Sequence, residues 1–232
     1  GCSSSTLPLS AQKEFITHYG VGIGNLYGLA ETGPTHIDDP RKKGWKPGSI
    51  GIPLDVNECR ISEDGEILIK GENVFMSYYK NKQLYEKSVV DGWFHTGDLG
   101  KYNEGKFYFT DRKKDIIITS GGKNVAPQKI ENLAKLQPHI AQCILVGDKR
   151  KYLTALISIE KELFEKEFAE LEISSDIEVS ELVKLPEIHE IISSELETVN
   201  SSLAKFETIK EYYIIPFELS TENYLTPSLK VF

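Results

Sequence analysis

The sequence predicts an α+β protein: a β-rich stretch over residues 1–111 that reads as the end of something larger, then a small α+β domain over residues 115–232. Three observations carry this. Residues 45–111 hold short strand-like runs broken by Pro and Gly. The charged tetrad Asp111-Arg112-Lys113-Lys114 interrupts them as a joint. Beyond it, apolar strands alternate with segments of helical period.

Pro47-Gly48 and Gly51-Ile52-Pro53 punctuate the start of the β part. Asp64-Gly65 lies between Cys59-Arg60-Ile61 and Glu66-Ile67-Leu68-Ile69, a turn flanked by strand formers, which predicts a hairpin. Gly92-Trp93-Phe94-His95-Thr96-Gly97-Asp98 closes another strand-like stretch, and a further β pair is predicted around 106–109 and 115–119, on either side of the tetrad. Pro127 suits the first turn of a helix that carries Ile130, Leu133 and Ala134 on one face. Two buried strands follow at 141–146 and 153–159, joined by the polar turn 147–151. The stretch 187–203 spaces Ile188, Ile191, Ile192, Leu196, Val199 and Leu203 as one helical face, and 209–215 reads as a last strand. The acidic and Lys-rich region 160–190 reads as the solvated faces of helices packed by Leu163, Phe164 and Phe168.

Composition narrows the function classes. Of 232 residues, 40% are hydrophobic and 10% aromatic, enough for a core, and no apolar run approaches the ~18 to 20 residues of a membrane span. With 27 Lys+Arg against 35 Asp+Glu the formal net charge is −8, which argues against broad electrostatic binding to nucleic acid. Cys2, Cys59 and Cys143 are odd in number and lack metal-ligand spacing, so neither a disulfide framework nor a zinc site is indicated and a cytoplasmic setting is expected. His36, His95, His139 and His189 share no ligand spacing either; His95 is expected to orient a turn, and Trp93 and Phe94 to sit in the core. Gly1-Cys2-Ser3 is no signal peptide and Met76 is the only methionine, so the chain is expected to be a fragment or a processed chain.

Single residues carry little chemistry by themselves. Asp98, after Gly97, can accept two hydrogen bonds from a sugar diol, but a turn Asp is the commoner reading. Gly121-Gly122-Lys123-Asn124 can bring amides and an ammonium to a phosphate, or be a plain loop. Lys230 alone is a solvated lysine.

Their order says more. Tyr27-Gly28-Leu29-Ala30-Glu31-Thr32, Lys46-Pro47-Gly48-Ser49-Ile50-Gly51-Ile52-Pro53, the 92–98 motif, Asp111-Arg112-Lys113-Lys114-Asp115, Ser120-Gly121-Gly122-Lys123-Asn124-Val125-Ala126-Pro127 and Thr226-Pro227-Ser228-Leu229-Lys230 follow one another from about Asn25 to the end. This series resembles the adenylate-forming acyl-CoA synthetases, and within them the long-chain fatty acid ligases. The resemblance implies that residues 1–111 are the C-terminal part of the large AMP-binding domain, 112–114 a hinge and 115–232 the small mobile C-terminal domain. It further implies that a fatty carboxylate attacks ATP to give an acyl-adenylate, from which coenzyme A displaces AMP. Glu31 matches the residue that holds Mg²⁺, Tyr27 the aromatic against adenine, and Gly28 and Ala30 its nucleotide-binding neighbours. Asp98 and Arg112 match the pair on the ribose. Lys230 matches the adenylation lysine and Lys114 the hinge residue, while Ser120, Gly121, Gly122 and Lys123 match the loop that meets coenzyme A.

Three departures qualify the match. Ala30 stands where the family carries Thr or Ser; loss of one such donor costs up to ~2.7 to 4 kcal/mol unless a neighbour such as Thr32 replaces it. The family's β- and γ-phosphate loop does not occur in these 232 residues, so this polypeptide alone is expected not to release pyrophosphate from ATP and fatty acid. The chain also stops two residues past Lys230. Two other readings are an adenylation domain that loads a carrier protein, and a non-catalytic nucleotide-binding module. Long-chain substrates enter bilayers, so the resemblance allows peripheral membrane contact, although no amphipathic basic helix supports it.

Overall fold

Glu66-Ile67-Leu68-Ile69 follows the Asp64-Gly65 turn, and in the computed structural model of the chain it becomes the central part of a five-stranded sheet. Residues 2, 7, 9–168, 177–219, 222 and 224 are described. The chain divides into two compact units, Gly1–Ile116 and Ile117–Phe232. Among the described residues no helix is long and apolar enough to cross a membrane.

In the first unit, α1 (Leu9–Tyr19) precedes β1 (Asn25–Leu29), β2 (Gly33–Asp38) and β3 (Ile52–Pro53), which form a three-stranded antiparallel sheet in that order. β4 (Asn57–Ile61) and β5 (Glu66–Gly71) make the predicted hairpin, because Gly65 takes the left-handed φ of +86° that closes the turn. β5 pairs on its other side with the long β7 (Trp93–Asn103), which also takes β6 (Val89–Val90) and β8 (Lys106–Arg112). The two sheets meet where the Ile50 N–H donates to the Phe107 carbonyl and the Phe107 N–H to the Gly51 carbonyl, both at 2.9 Å. Only glycine fits at 51: its φ is +92°, and a Cβ would lie 1.9 Å from the Ile37 carbonyl oxygen. Ile50, Ile67, Ile69 and Phe107 form the buried core of this unit.

One expected pairing is corrected. The strand at 106–109 does not pair with 115–119 but folds back on β7, because Glu104 and Gly105 both have positive φ, as the central residues of a type I′ turn require. The short β9 (Ile117–Ile118) pairs instead with β10 (Asn124–Val125). The stretch read as mostly β also contains the helix α2 (Lys82–Ser88), started by the Asn81 side chain accepting from the Leu84 N–H at 3.1 Å. It buries no residue, so no apolar stripe announced it.

In the second unit β11 (Ile140–Val146) and β12 (Leu153–Ile159) are antiparallel, and β13 (Ile209–Ile214) lies parallel to β12. A parallel neighbour needs a crossover, and the helices between β12 and β13 supply it. α3 (Pro127–Ala134) starts on its proline; α4 (Lys161–Phe168), α5 (Val179–Leu182) and α6 (Pro186–Ser201) follow. Ile188, Ile192, Leu196 and Val199 of α6 join Ile130, Leu153, Ile157 and Phe164 in one buried cluster, with Ile191, Leu133 and Leu203 at its edge. That is the face the spacing predicts. Phe164 is fully buried, and Leu163 is half-buried; the side chain of Phe168 lies outside the described residues.

Between the sheets of the first unit, His36 is fully buried, its ring edge-on to Tyr27 at 5.4 Å and to Phe107 at 5.0 Å. Nδ1 meets the Thr35 hydroxyl at 2.9 Å, and burial lowers the imidazole from its ordinary 6.5 to about 4. Protonation therefore favours the unfolded chain, and this share of stability is lost as pH falls from about 6.5 towards 4. Urea unfolding at about pH 7.5 and about pH 4.5 is expected to show the wild type losing about 2 to 3 kcal/mol more than His36→Leu over that interval. Equal losses would remove His36 from the acid response.

Candidate nucleotide site

The site grows from the β7–β8 register. Asp98 and Arg112 are direct cross-strand partners, so their side chains leave the sheet on the same face. Asp98 lies within a strand rather than in a turn, but the strand is kinked there: Gly97 has φ +73° and the register shifts between Leu99 and Gly100. The Thr96 hydroxyl accepts from the Asp98 N–H at 3.0 Å and donates to the Ile67 carbonyl at 2.7 Å. The kink is thus tied to β5.

Asp98 is 5% exposed. Its Oδ2 accepts from the Tyr27 hydroxyl at 2.8 Å, and Oδ1 lies 3.7 Å from Arg112 Nε, an ion pair without a short hydrogen bond. Burial raises the carboxyl above the usual range; the Tyr27 hydrogen bond and Arg112 work against that, while Glu66 and Asp115 add to it. Burial, then Asp98, push the Tyr27 phenol upward in turn, so it stays a donor. A carboxylate offers four lone-pair sites. Tyr27 takes one and Arg112 flanks a second, leaving acceptor capacity for two vicinal hydroxyls.

Glu31 stands on the β1–β2 turn. Its Oε1 accepts from the Tyr78 hydroxyl at 2.9 Å, its backbone carbonyl from the Phe75 N–H at 2.8 Å, and its Oε2 makes no hydrogen bond among the described residues. Such a half-committed carboxylate suits Mg²⁺, which binds through one or two carboxylates plus substrate phosphates rather than in an all-protein cage. Gly28 has a packing reason: a Cβ there would lie 2.1 Å from the Gly33 carbonyl, across the bulge in the β1–β2 ladder. Ala30 is exposed. Thr32 does not offer a replacement donor, because its hydroxyl accepts from the Leu29 N–H at 3.2 Å and donates to the Gly33 carbonyl at 2.9 Å.

Other residues separate from this group. Ser120, Gly121, Gly122 and Lys123 form the exposed turn between β9 and β10 in the second unit, pinned where the Ser120 N–H donates to the Arg150 carbonyl at 2.9 Å. Gly122 has φ +71° and open space around it; Lys123 Nζ lies 5.9 Å from the centre of the Phe206 ring. Lys114 is exposed, and its side chain makes no hydrogen bond or ion pair among the described residues. Lys230 lies outside the described residues. Phe94 is buried as expected, but Trp93 is half-buried with the Arg60 guanidinium 4.1 Å above its ring, which holds it at the surface. Among the described residues no group of three His, Cys, Asp or Glu is placed to hold a metal by itself. Tyr78 and Glu66 escaped the sequence reading. A lone carboxylate opening the otherwise apolar run Ile67-Leu68-Ile69 was the available signal for Glu66.

Family models match two stretches of the chain, one on either side of Asp98 and Arg112. One described as AMP-binding enzyme matches residues 1–79, and one described as AMP-binding enzyme C-terminal domain matches residues 114–228. The chain belongs to the AMP-binding enzyme family. Among its relatives, the long-chain-fatty-acid–CoA ligase FadD15 of Mycobacterium bovis is 36% identical over 98% of this chain and 38% of its own length. The long-chain-fatty-acid–CoA ligase 5 of Mus musculus is 31% identical over 93% of the chain and 34% of its length. The chain therefore spans under two fifths of either relative. Among solved structures, the O-succinylbenzoate coenzyme A synthetase of Bacillus subtilis in complex with AMP aligns with TM-score 0.71 and 27% identity, over 98% of this chain and 43% of that one. The adenylation domain of a Mycobacterium chelonae carboxylate reductase aligns with TM-score 0.76 over 99% of this chain and 35% of that one; at 20% identity it speaks for the fold alone. The family's members are enzymes.

Proposed function

We propose that this chain is the nucleotide-gripping β part, hinge and C-terminal domain of a long-chain fatty acid–CoA ligase that works through an acyl-adenylate. One observation supports this reading above the others: Asp98, buried and fixed by Tyr27, faces Arg112 directly across the β7–β8 pair. A carboxylate with free acceptor sites beside a guanidinium donor suits a ribose diol, which needs acceptors for its protons and a donor for its oxygens. The named relatives supply the substrate class, a long-chain fatty acid with coenzyme A.

In this reading Asp98 and Arg112 hold the sugar, which places the α-phosphate for attack by the fatty carboxylate. Mg²⁺, when bound, neutralises phosphate charge, and Glu31 is the residue that would hold it, with Tyr78 fixing one carboxylate oxygen. Lys230 contributes a point charge between the carboxylate and the α-phosphate as negative charge builds there. The hinge is at Lys114, within residues 112–114, and the exposed turn from Ser120 to Lys123 serves the thioester step, its glycines leaving room for the pantetheine arm.

The full-length protein is expected to release AMP and pyrophosphate only with ATP, a long-chain fatty acid and Mg²⁺, and to form thioester with free coenzyme A in preference to a phosphopantetheinyl carrier protein. Preference for the carrier would reassign it as a loading domain; AMP binding with no turnover of any acid would make it a nucleotide-binding module.

A further inference from the structure

Glu66 is the charged residue that opens β5, and it is 4% exposed. A buried carboxylate is costly unless several partners surround it, so what surrounds this one matters. Oε1 accepts from the Gly97 N–H at 2.8 Å, while Oε2 lies 3.1 Å from His95 Nδ1 and 3.1 Å from Lys113 Nζ. Burial opposes its ionisation, but His95, the Gly97 N–H and Lys113 outweigh it and hold Glu66 below the usual carboxylate range. Two of these partners are informative by position. Gly97 immediately precedes Asp98, at the left-handed kink that aims that side chain. Lys113 immediately precedes Lys114, and is fastened twice: its N–H donates to the Gly97 carbonyl at 2.8 Å, and its ammonium also reaches Asp64 at 2.6 Å. The Lys114 side chain has no such tie among the described residues.

We propose that Glu66 is a positioning residue for the nucleotide site: one buried carboxylate that sets the Gly97–Asp98 kink and, through Lys113, fastens the start of the connecting segment. The inference rests on the proposed role of Asp98 at the ribose. Glu66 touches no substrate in it. It acts by holding the Gly97 amide and, through Lys113, the start of the turn in which the Asp115 N–H donates to the Arg112 carbonyl at 3.0 Å.

The test compares AMP with 2′,3′-dideoxy-AMP on the full-length protein, and adds hydrogen exchange without nucleotide. Glu66→Ala is expected to weaken AMP by ~10-fold, the lower end for loss of an outer-shell support, and to leave dideoxy-AMP affinity unchanged, since only the diol senses the aim of Asp98. Glu66→Gln keeps an acceptor for the Gly97 N–H and is expected to restore AMP binding to within about threefold of wild type. Should Glu66→Ala not fold, Glu66→Asp withdraws the carboxylate from Gly97 while keeping its charge, and must show the same selective loss. Lys113→Met is expected to speed exchange across residues 112–116. Equal weakening of both nucleotides in a folded variant, or no weakening of AMP, overturns the positioning role; unchanged exchange in Lys113→Met overturns the fastening. A wild-type protein that binds no AMP would sink the nucleotide reading instead, while the exchange result still decides the fastening.

Discussion

Asp98→Ala in the full-length protein is expected to weaken AMP and ATP by a factor of ~10² to 10⁴, because two hydrogen bonds from a ribose diol to a charged acceptor contribute about 1.5 to 3 kcal/mol each. The same change leaves the Tyr27 hydroxyl and the Arg112 guanidinium without their shared partner. Asp98→Asn is expected to separate stability from binding. Folding raises the Asp98 pKa, so its stabilising contribution is present below the unfolded pKa and is lost as pH rises through the folded one; the ionised carboxylate is a cost at neutral pH. Asp98→Asn, which keeps an acceptor for Tyr27, is therefore expected to unfold at a higher urea concentration than wild type at about pH 7.5 while binding AMP poorly. Calorimetric titration and urea unfolding on one preparation read both quantities. A variant that lost both together would mark Asp98 as structural.

Lys230→Ala is expected to slow formation of the acyl-adenylate by ~10² to 10³, the cost of removing one donor from a developing negative charge. The thioester step, fed with preformed acyl-adenylate and coenzyme A, is expected to continue near the wild-type rate, since that step is assigned to the Ser120–Lys123 turn. Gly122→Ala should give the reverse pattern, because its φ of +71° disfavours a side chain although the space is open. Single-turnover measurement of each half-reaction separates the two. Equal loss in both for either variant would end the division of labour.

Much of this was legible before any coordinates. The strands at 141–146 and 153–159 and the helix at 187–203 were readable because burial writes its period into the sequence: Ile188, Ile192, Leu196 and Val199 recur as one face, and all four are buried. The β7–β8 pairing was not readable, because Asn103-Glu104-Gly105-Lys106 does not look like the common Asn-Gly turn, yet Glu104 accepts a positive φ. Helices α1 and α2 were missed for want of an apolar stripe; α2 buries nothing. In the site, motif order brought Tyr27, Asp98 and Arg112 to notice, but the bond from Tyr27 to Asp98 spans 71 residues, and no local pattern encodes it. The same is true of Tyr78 with Glu31, 47 residues apart. Gly28 carries a different lesson: it sits in a motif that suggests ligand contact, and it has a neighbouring carbonyl where a Cβ would go.

The most direct measurement is a cycle of two ligands and two proteins: AMP and 2′,3′-dideoxy-AMP titrated into wild type and Asp98→Ala. If Asp98 grips the sugar hydroxyls, wild type prefers AMP strongly and the variant binds both nucleotides alike. A preference for AMP that survives intact in a folded Asp98→Ala protein would place the ribose elsewhere and contradict the account.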